Sequence, residues 1–171
     1  QEEVSADLNG LGRRARNRPD LLHGDFAILG EPTNAVIEGG CNGTLRIDVM
    51  TRGVRAHSAR AWVGRNAIHA AAPILSTLAA YKPREVEVEG LVYRESLNAV
   101  GISGGVASNV IPDECTVTLN YRFAPNRNGD EAVAYVHELF AGIEGLEFAV
   151  TDLAEGARPG LDAPLAQDFL T

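Results

Sequence analysis

Three carboxylates near the start of the sequence are of the type needed for metal-assisted hydrolysis. Glu2 and Glu3 are adjacent, and Glu31 stands in a Gly-Glu-Pro sequence. On a loop or at the start of a helix, two adjacent carboxylates can both approach a cation, so that one binds it while the other moves protons. The alternative interpretation is a pair of solvated acids in the first turn of a helix.

The histidines do not form a recognisable metal site by themselves. None is spaced from another as HxH or HxxxH, whereas a catalytic zinc takes about three protein ligands. His57 stands out by its context, because a strand pattern and Gly53 precede it, and a glycine there allows a turn that presents the imidazole away from the sheet. An ordinary surface histidine is the alternative. The histidines are His23, His57, His69 and His137.

The composition restricts the partners. Fifteen Lys and Arg residues against 23 Asp and Glu residues give a net charge of −8, which argues against binding to nucleic acid or to an anionic membrane surface. The sequence contains no G-x-S-x-G, P-loop or G-x-G-x-x-G pattern, which argues against nucleophile-elbow hydrolases and common nucleotide folds. Its apolar stretches are too short to cross a bilayer, so we expect no membrane partner.

Cysteine and methionine usage bears on location and on the extent of the chain. Cys41 and Cys115 are far apart without a CxxC spacing, which favours buried free thiols in a reducing, cytoplasmic compartment over a disulfide scaffold. The one methionine is Met50, and the first residue is Gln1. We therefore expect the 171 residues to be an internal piece of a longer protein.

The segment before residue 40 has the pattern of part of an α/β domain. A helix-compatible stretch from Glu2 to about Arg18 is interrupted at Asn9. The apolar run Phe26–Leu29 is typical of a strand buried on both faces in a parallel sheet. Glu31 then follows the carboxyl end of that strand, where the ligand sites of open α/β sheets concentrate.

Beyond Gly40 the pattern changes to half-buried strands and amphipathic helices, and we place a domain boundary there. Apolar and polar residues alternate at 44–49 and 114–123, which is typical of strands with one wet face. The order is strand, helix, two or three strands, helix, strand, which predicts a split-βαβ antiparallel sheet with helices on one face. The other predicted elements are a helix at 66–80 with a distortion at Pro73, strands near 86–88, 98–103 and 148–150, and a helix from Asp130.

Five motifs together resemble one family, the di-zinc amidohydrolases that include aminoacylase, acetylornithine deacetylase and carboxypeptidase G. The Gly-Glu-Pro, Gly-x-x-x-His and Asn-Val-Ile-Pro motifs are far more specific in combination than any of them alone. The resemblance runs over nearly the whole chain. The motifs are Gln1-Glu2-Glu3, Leu29-Gly30-Glu31-Pro32-Thr33, Arg52-Gly53-Val54-Arg55-Ala56-His57-Ser58, Ser108-Asn109-Val110-Ile111-Pro112 and Asn120-Tyr121-Arg122-Phe123.

The resemblance implies an α+β, ferredoxin-like dimerisation (lid) domain with an antiparallel sheet and two helices. Partial segments of an α/β zinc-peptidase catalytic domain flank it. Residues 1–40 then belong to the catalytic domain, residues 41–150 to the lid, and residues 151–171 return to the catalytic domain. The resemblance also implies a homodimer formed through the lid. The implied reaction is hydrolysis of the amide bond of a small-molecule N-acyl amino acid, with a succinyl group as the acyl part.

The resemblance assigns the three carboxylates to a metal centre. Glu2 corresponds to the general base, while Glu3 and Glu31 correspond to ligands of two different metal ions. The implied metals are two zinc ions in each intact subunit, with cobalt as an alternative. The family's first metal-binding histidine, its bridging aspartate and its last metal-binding histidine have no counterpart in these 171 residues. We therefore expect this chain alone to be inactive.

The resemblance assigns three further residues to the lid. His57 corresponds to a histidine that reaches the active site of the partner subunit, and Asn109 and Arg122 correspond to residues that bind the carboxylate end of the substrate. A guanidinium offers a two-pronged contact to a carboxylate, although a cross-strand ion pair is the alternative for Arg122. Two other functions stay open, a related N-acyl amino acid deacylase or carboxypeptidase, and a non-catalytic dimerisation module.

Overall fold

The computed structural model describes residues 8–30 and 32–170. The chain divides into two compact units, one formed by residues 40–159, here called the sheet unit, and the other by the residues before and after it. No helix in the described ranges is long and apolar enough to span a membrane.

Strands predominate in the sheet unit, and short helices occur in both units. The described strands are β1 (Gly43–Arg52), β2 (Ala56–His57), β3 (Glu85–Val88), β4 (Leu91–Arg94), β5 (Ser96–Gly104), β6 (Val110–Ile111), β7 (Glu114–Phe123) and β8 (Glu147–Ala154). The described helices are α1 (Gly10–Asn17), α2 (Ala67–Ala70), α3 (Ala72–Ala80), α4 (Gly129–Leu139) and α5 (Pro164–Leu170), with 3₁₀ segments at Pro19–Leu22 and Ser58–Val63.

The main sheet has four strands in the order β5-β7-β1-β8, and each neighbouring pair is antiparallel. Helices α2 and α3 lie between β1 and β5 in the chain, and α4 lies between β7 and β8. This is the split-βαβ arrangement of ferredoxin-like folds. The predicted antiparallel sheet with helices on one face is thereby confirmed.

The alternation of residues in the two central strands produces the core. Apolar residues of β1 pair with apolar residues of β7, and their side chains are fully buried together with residues of the helices. Burial of one such side chain stabilises the fold by about 1.5–3 kcal/mol. The opposite face is polar, and there the Thr118 hydroxyl donates a hydrogen bond to Asp48 at 2.6 Å. The paired core residues are Leu45, Ile47 and Val49 of β1 and Tyr121, Leu119 and Val117 of β7.

The helix predicted over residues 66–80 is divided in two. Asn66 caps α2, and its side chain accepts hydrogen bonds from the amides of Ile68 and His69. Ala71 separates α2 from α3, whose first turn contains Pro73. Because proline has no amide proton to donate, it fits the first turn of a helix and not its interior. The predicted distortion therefore lies at a helix boundary.

The strand predicted at Phe26–Leu29 is wrong. The segment forms no strand, and Leu29 is 78% exposed. A strand buried on both faces requires partner strands at its edges, and none of the residues in 8–30 and 32–170 pairs with this segment. An apolar run alone therefore does not identify a buried strand, because the strand also needs partners to pair with.

Two smaller predictions also need correction. The strand predicted near residues 86–88 is present as β3, but it pairs with β4 in a separate hairpin and does not join the main sheet. Both cysteines are free thiols, and Cys115 is buried as predicted, but Cys41 is exposed. Cys41 precedes the first core strand and forms an isolated bridge with Ala157, so no layer of the core covers it.

We predict that shortening one central core residue costs far more stability than shortening its neighbour on the polar face. Ile47→Ala should lower the free energy of unfolding by about 2–5 kcal/mol because it leaves a cavity beneath the helices. Arg46→Ala is the control. Its guanidinium lies on the polar face, 3.7 Å from the partly exposed Asp152 carboxylate, and ion pairs at a protein surface contribute at most about 1 kcal/mol. Urea unfolding followed by circular dichroism measures both, and equal losses would contradict the assignment of the core.

Candidate functional site

His57 ends β2 and caps the 3₁₀ segment that follows. Its Nδ1 accepts a hydrogen bond from the Ala59 amide at 3.0 Å. Because Nδ1 acts as the acceptor, the neutral imidazole carries its proton on Nε2. The side chain is exposed. The Nε2–H of His57 is therefore an exposed hydrogen-bond donor. Neither ring nitrogen offers a free lone pair to a metal ion.

Asn109 lies at the same place in the fold as His57. Its carbonyl accepts a hydrogen bond from the Ser58 amide at 2.9 Å, and the next residue, Val110, pairs with His57 in the short β2-β6 ladder. The structure thus brings these two predicted site residues together at one end of the sheet.

Backbone hydrogen bonds fix the His57 loop to the start of β7. The Gly53 amide donates to the Asp113 carbonyl at 2.7 Å, and the Ala67 amide donates to the Pro112 carbonyl at 2.9 Å. A Cβ on Gly53 would lie 2.1 Å from the Arg65 carbonyl oxygen. Only glycine fits this close approach, which explains the glycine of the Gly-x-x-x-His motif.

Three ion pairs, formed by two arginines, add to this attachment. The Arg55 guanidinium donates to Asp113 Oδ1 at 3.1 and 2.9 Å, and this contact holds the pKa of Asp113 below its usual range. Arg52 at the end of β1 contacts Glu114 of β7 and donates to Glu147 of β8, with Nη2 to Oε2 at 2.7 Å. Arg52 lowers the pKa of Glu147 by this hydrogen bond.

A groove of about 540 Å³ lies beside these ion pairs. Its size is within the range of small-molecule sites. Both of its arginines already face carboxylates, however, so the groove offers little uncompensated positive charge to an anionic ligand. Its charged lining residues are Arg52, Arg55, Asp113 and Glu114, and the uncharged ones are Gly53, residues 103–106, Pro112 and Thr116.

Arg122 lies at the other end of the sheet. Its Cα is opposite Thr44 of β1 and Ser96 of β5, its side chain is exposed, and Nη1 donates a hydrogen bond to the Thr44 hydroxyl. From Glu114 to Arg122, β7 advances eight residues, which at about 3.3 Å each span about 26 Å. One chain therefore does not bring Arg122 together with His57 and Asn109.

The three predicted carboxylates lie outside the described residues. Glu2, Glu3 and Glu31 fall in positions 1–7 and 31, about which the structure is silent. Within residues 8–30 and 32–170, no three His, Cys, Asp or Glu residues form a group that could hold a metal ion. The metal roles of these carboxylates stay predictions.

The sequence reasoning overlooked Trp62, which lies in the 3₁₀ segment that His57 caps. It is 81% exposed, which is unusual for so large an apolar side chain. The signal was available, because this is the only tryptophan in the sequence and it follows His57 by five residues. The His57 loop thus carries an aromatic surface as well as a hydrogen-bond donor.

Strand β5 forms one edge of the main sheet and presents apolar residues along it. Ile102 is 55% exposed, Val100 is more exposed still, and so is Val106, two residues beyond the end of the strand. Gly101 and Gly104 lie on the same strand, and glycines in a strand allow another backbone to approach closely. An exposed apolar edge strand is a template for pairing with a further strand.

Curated relatives match this chain over nearly all of its length. A succinyl-diaminopimelate desuccinylase of Corynebacterium glutamicum is 54% identical over 162 residues, covering 94% of this chain and 44% of the relative. A protein of Mycobacterium tuberculosis is 52% identical over 166 residues, covering 97% of this chain and 47% of the relative. The chain thus spans about half the length of the curated relatives it matches.

Solved structures share the fold. An M20 family metallo-carboxypeptidase from Sulfolobus solfataricus has a TM-score of 0.64 at 16% identity, covering 92% of this chain and 49% of that chain. An aminobenzoyl-glutamate utilization protein from Klebsiella pneumoniae has a TM-score of 0.53 at 24% identity, covering 80% of this chain and 36% of that chain. The sequence signature of the peptidase dimerisation domain matches residues 39–144. This chain therefore belongs to the M20 peptidase dimerisation-domain family.

Proposed function

We propose that the full-length protein hydrolyses the amide bond of N-succinyl-LL-2,6-diaminopimelate to succinate and LL-diaminopimelate, a precursor of lysine and peptidoglycan. The observation that carries this proposal is the 54% identity to the Corynebacterium glutamicum desuccinylase over 94% of the chain. The motifs at His57, Asn109 and Arg122 fall within that matched span and supply residues suited to an anionic N-acyl substrate.

The active site takes its residues from two subunits. Arg122 lies at the end of the sheet where the chain enters and leaves the sheet unit, whereas His57 and Asn109 lie at the opposite end. A separation of about 26 Å along one strand exceeds the reach of a small substrate. When two copies lie side by side across a twofold axis, the strands of one run opposite to those of the other. The His57 end of one subunit then lies beside the Arg122 end of its partner.

The exposed edge of β5 supports such a dimer, in which β5 would pair with β5 of a second copy. The edge is apolar and contains glycines, and an antiparallel pair across a twofold axis extends the sheet without a break. The exposed residue Ile68 continues the apolar surface onto α2, since its side chain lies against Gly104 and Gly105. The proposed partner is thus a second copy of this chain.

His57 and Arg122 take different parts in the reaction. The Nε2–H of His57 donates a hydrogen bond to the oxyanion of the tetrahedral intermediate, a type of contact worth about 2.7–4 kcal/mol. Arg122 and Asn109 hold the carboxylate end of the substrate, and the planar guanidinium binds it with two parallel hydrogen bonds. Both interactions require these side chains to be exposed, as they are.

The proton transfers are assigned to Glu2, which accepts the proton of the attacking water and returns it to the leaving amine. We propose Glu3 and Glu31 as ligands of two zinc ions, with cobalt as an alternative. Metal ions at such a site polarise the amide carbonyl and the water. The described residues contribute no metal cluster of their own, so the metal chemistry belongs to the part of the protein outside the sheet unit.

A substrate panel tests the proposed reaction. In the full-length protein, kcat/KM for N-succinyl-LL-2,6-diaminopimelate should exceed that for N-acetylornithine by at least about 100-fold, because a site built to pair a second carboxylate rejects a substrate without it. Preference for acetylornithine would favour the related deacylase instead. The 171-residue chain alone should form dimers without hydrolysing either compound, and turnover by it would contradict the assignment of the metal ligands.

Mixing of inactive subunits tests the shared site. His57→Ala and Glu2→Ala homodimers should each be inactive in the full-length protein. After dissociation and random reassociation, half of the dimers are mixed and each holds one intact site, so about a quarter of the wild-type activity should return. Each variant taken alone through the same procedure is the control. If the mixture stays inactive, His57 does not act across the dimer.

A further inference from the structure

A glutamate is completely buried at the end of the sheet that carries Arg122. Glu95 lies between β4 and β5, and it is 0% exposed. Burial of a carboxylate is costly unless hydrogen bonds and a compensating charge surround it. The chemistry proposed for the active site does not use Glu95, so its burial needs another explanation.

Both carboxylate oxygens of Glu95 bind the end of β7. The Tyr121 hydroxyl donates a hydrogen bond to Oε2 at 3.0 Å, and the Ala124 amide donates to Oε1 at 3.2 Å. The Arg84 guanidinium lies 3.7 Å from Oε2 and supplies positive charge. Glu95 thus holds the chain immediately before Arg122 and two residues after it.

A second arginine extends this network and sets the direction of its hydrogen bonds. Arg127 Nη1 donates to the Tyr121 hydroxyl at 2.7 Å, and its guanidinium lies over the Tyr135 ring, 4.5 Å from the centroid. Burial, followed by the charge of Glu95, raises the pKa of Tyr121 above its ordinary value. The hydroxyl therefore keeps its proton at neutral pH and remains a donor to Glu95.

Arg122 lies between the two residues, Tyr121 and Ala124, that Glu95 binds. Its Cα is opposite Ser96, the residue after Glu95. Because side chains alternate along a strand, Tyr121 lies in the core while Arg122 is on the exposed face. Glu95 therefore constrains the backbone that carries Arg122 without contacting its guanidinium. A two-pronged contact to a carboxylate depends on a fixed guanidinium plane, so backbone freedom here weakens it.

We propose that Glu95 is a positioning residue for substrate binding, which holds the end of β7 so that Arg122 presents its guanidinium in a fixed orientation. The proposal rests on the proposed role of Arg122 in binding the substrate carboxylate. According to this proposal, the fully buried Glu95 side chain affects substrate affinity only through Arg122.

A double-mutant cycle in the full-length protein tests this, with KM and kcat for N-succinyl-LL-2,6-diaminopimelate as the readouts. Glu95→Gln should raise KM by about tenfold and change kcat by less than about twofold. Arg122→Gln should raise KM at least as much. In the double variant KM should equal that of Arg122→Gln, because Glu95 has nothing left to position.

Glu131→Gln is the matched control. The Glu131 carboxylate also accepts a backbone hydrogen bond, from the Asn128 amide at 2.9 Å, and KM should stay within about twofold of the wild-type value. If Glu95→Gln does not fold, Tyr121→Phe takes its place in the cycle, since it removes one hydroxyl from the same network.

Two results overturn the proposal. Either KM is unchanged in Glu95→Gln, or KM rises by the same factor whether residue 122 is arginine or glutamine, which would show a general structural effect. Failure of the underlying function gives a different result, since KM would then be unchanged in Arg122→Gln. That outcome rejects both the role of Arg122 and the positioning role of Glu95.

Discussion

The pairing of β1 with β7 over ten residues is the interaction on which the rest of the sheet unit depends. Its register places the apolar residues of both strands on the face that the helices cover, and the polar residues on the other face. The ten paired residues also set the length of the sheet, and therefore the distance between the loops at its two ends. His57 and Asn109 lie at one end of these long central strands, and Arg122 lies at the other end.

The two ends of the sheet are stabilised in different ways. At the His57 end, backbone hydrogen bonds hold the loop, and the accompanying pairs of Arg52 and Arg55 with acids are exposed. Such exposed pairs contribute about 0–1 kcal/mol each. At the Arg122 end, the Glu95 carboxylate and Tyr121 are fully buried, and leaving a buried polar group without its hydrogen-bond partner costs about 1–3 kcal/mol. The Arg122 end thus depends on a buried carboxylate, whereas the His57 end depends on backbone hydrogen bonds and exposed ion pairs.

The sequence predicted the sheet well because alternation over 44–49 and 114–123 reports directly on one buried face. Motif order also singled out His57, Asn109 and Arg122. It did not show that they lie at opposite ends, since that follows from strand register, which no local pattern encodes. Glu95 escaped notice for a similar reason, because a single glutamate between two strands carries no sign of burial. The strand predicted at Phe26–Leu29 was wrong because an apolar run does not show whether partner strands lie beside it.

The central claim is that one active site combines Arg122 of one subunit with His57 of the other. A crystal structure of the full-length protein with succinate and LL-diaminopimelate bound tests it most directly. We predict that the Arg122 guanidinium and His57 Nε2 lie within about 3.2 Å of ligand oxygens in the same site, and that they come from different subunits. A site in which both residues belong to one subunit, or in which His57 does not contact the ligand, would contradict the account.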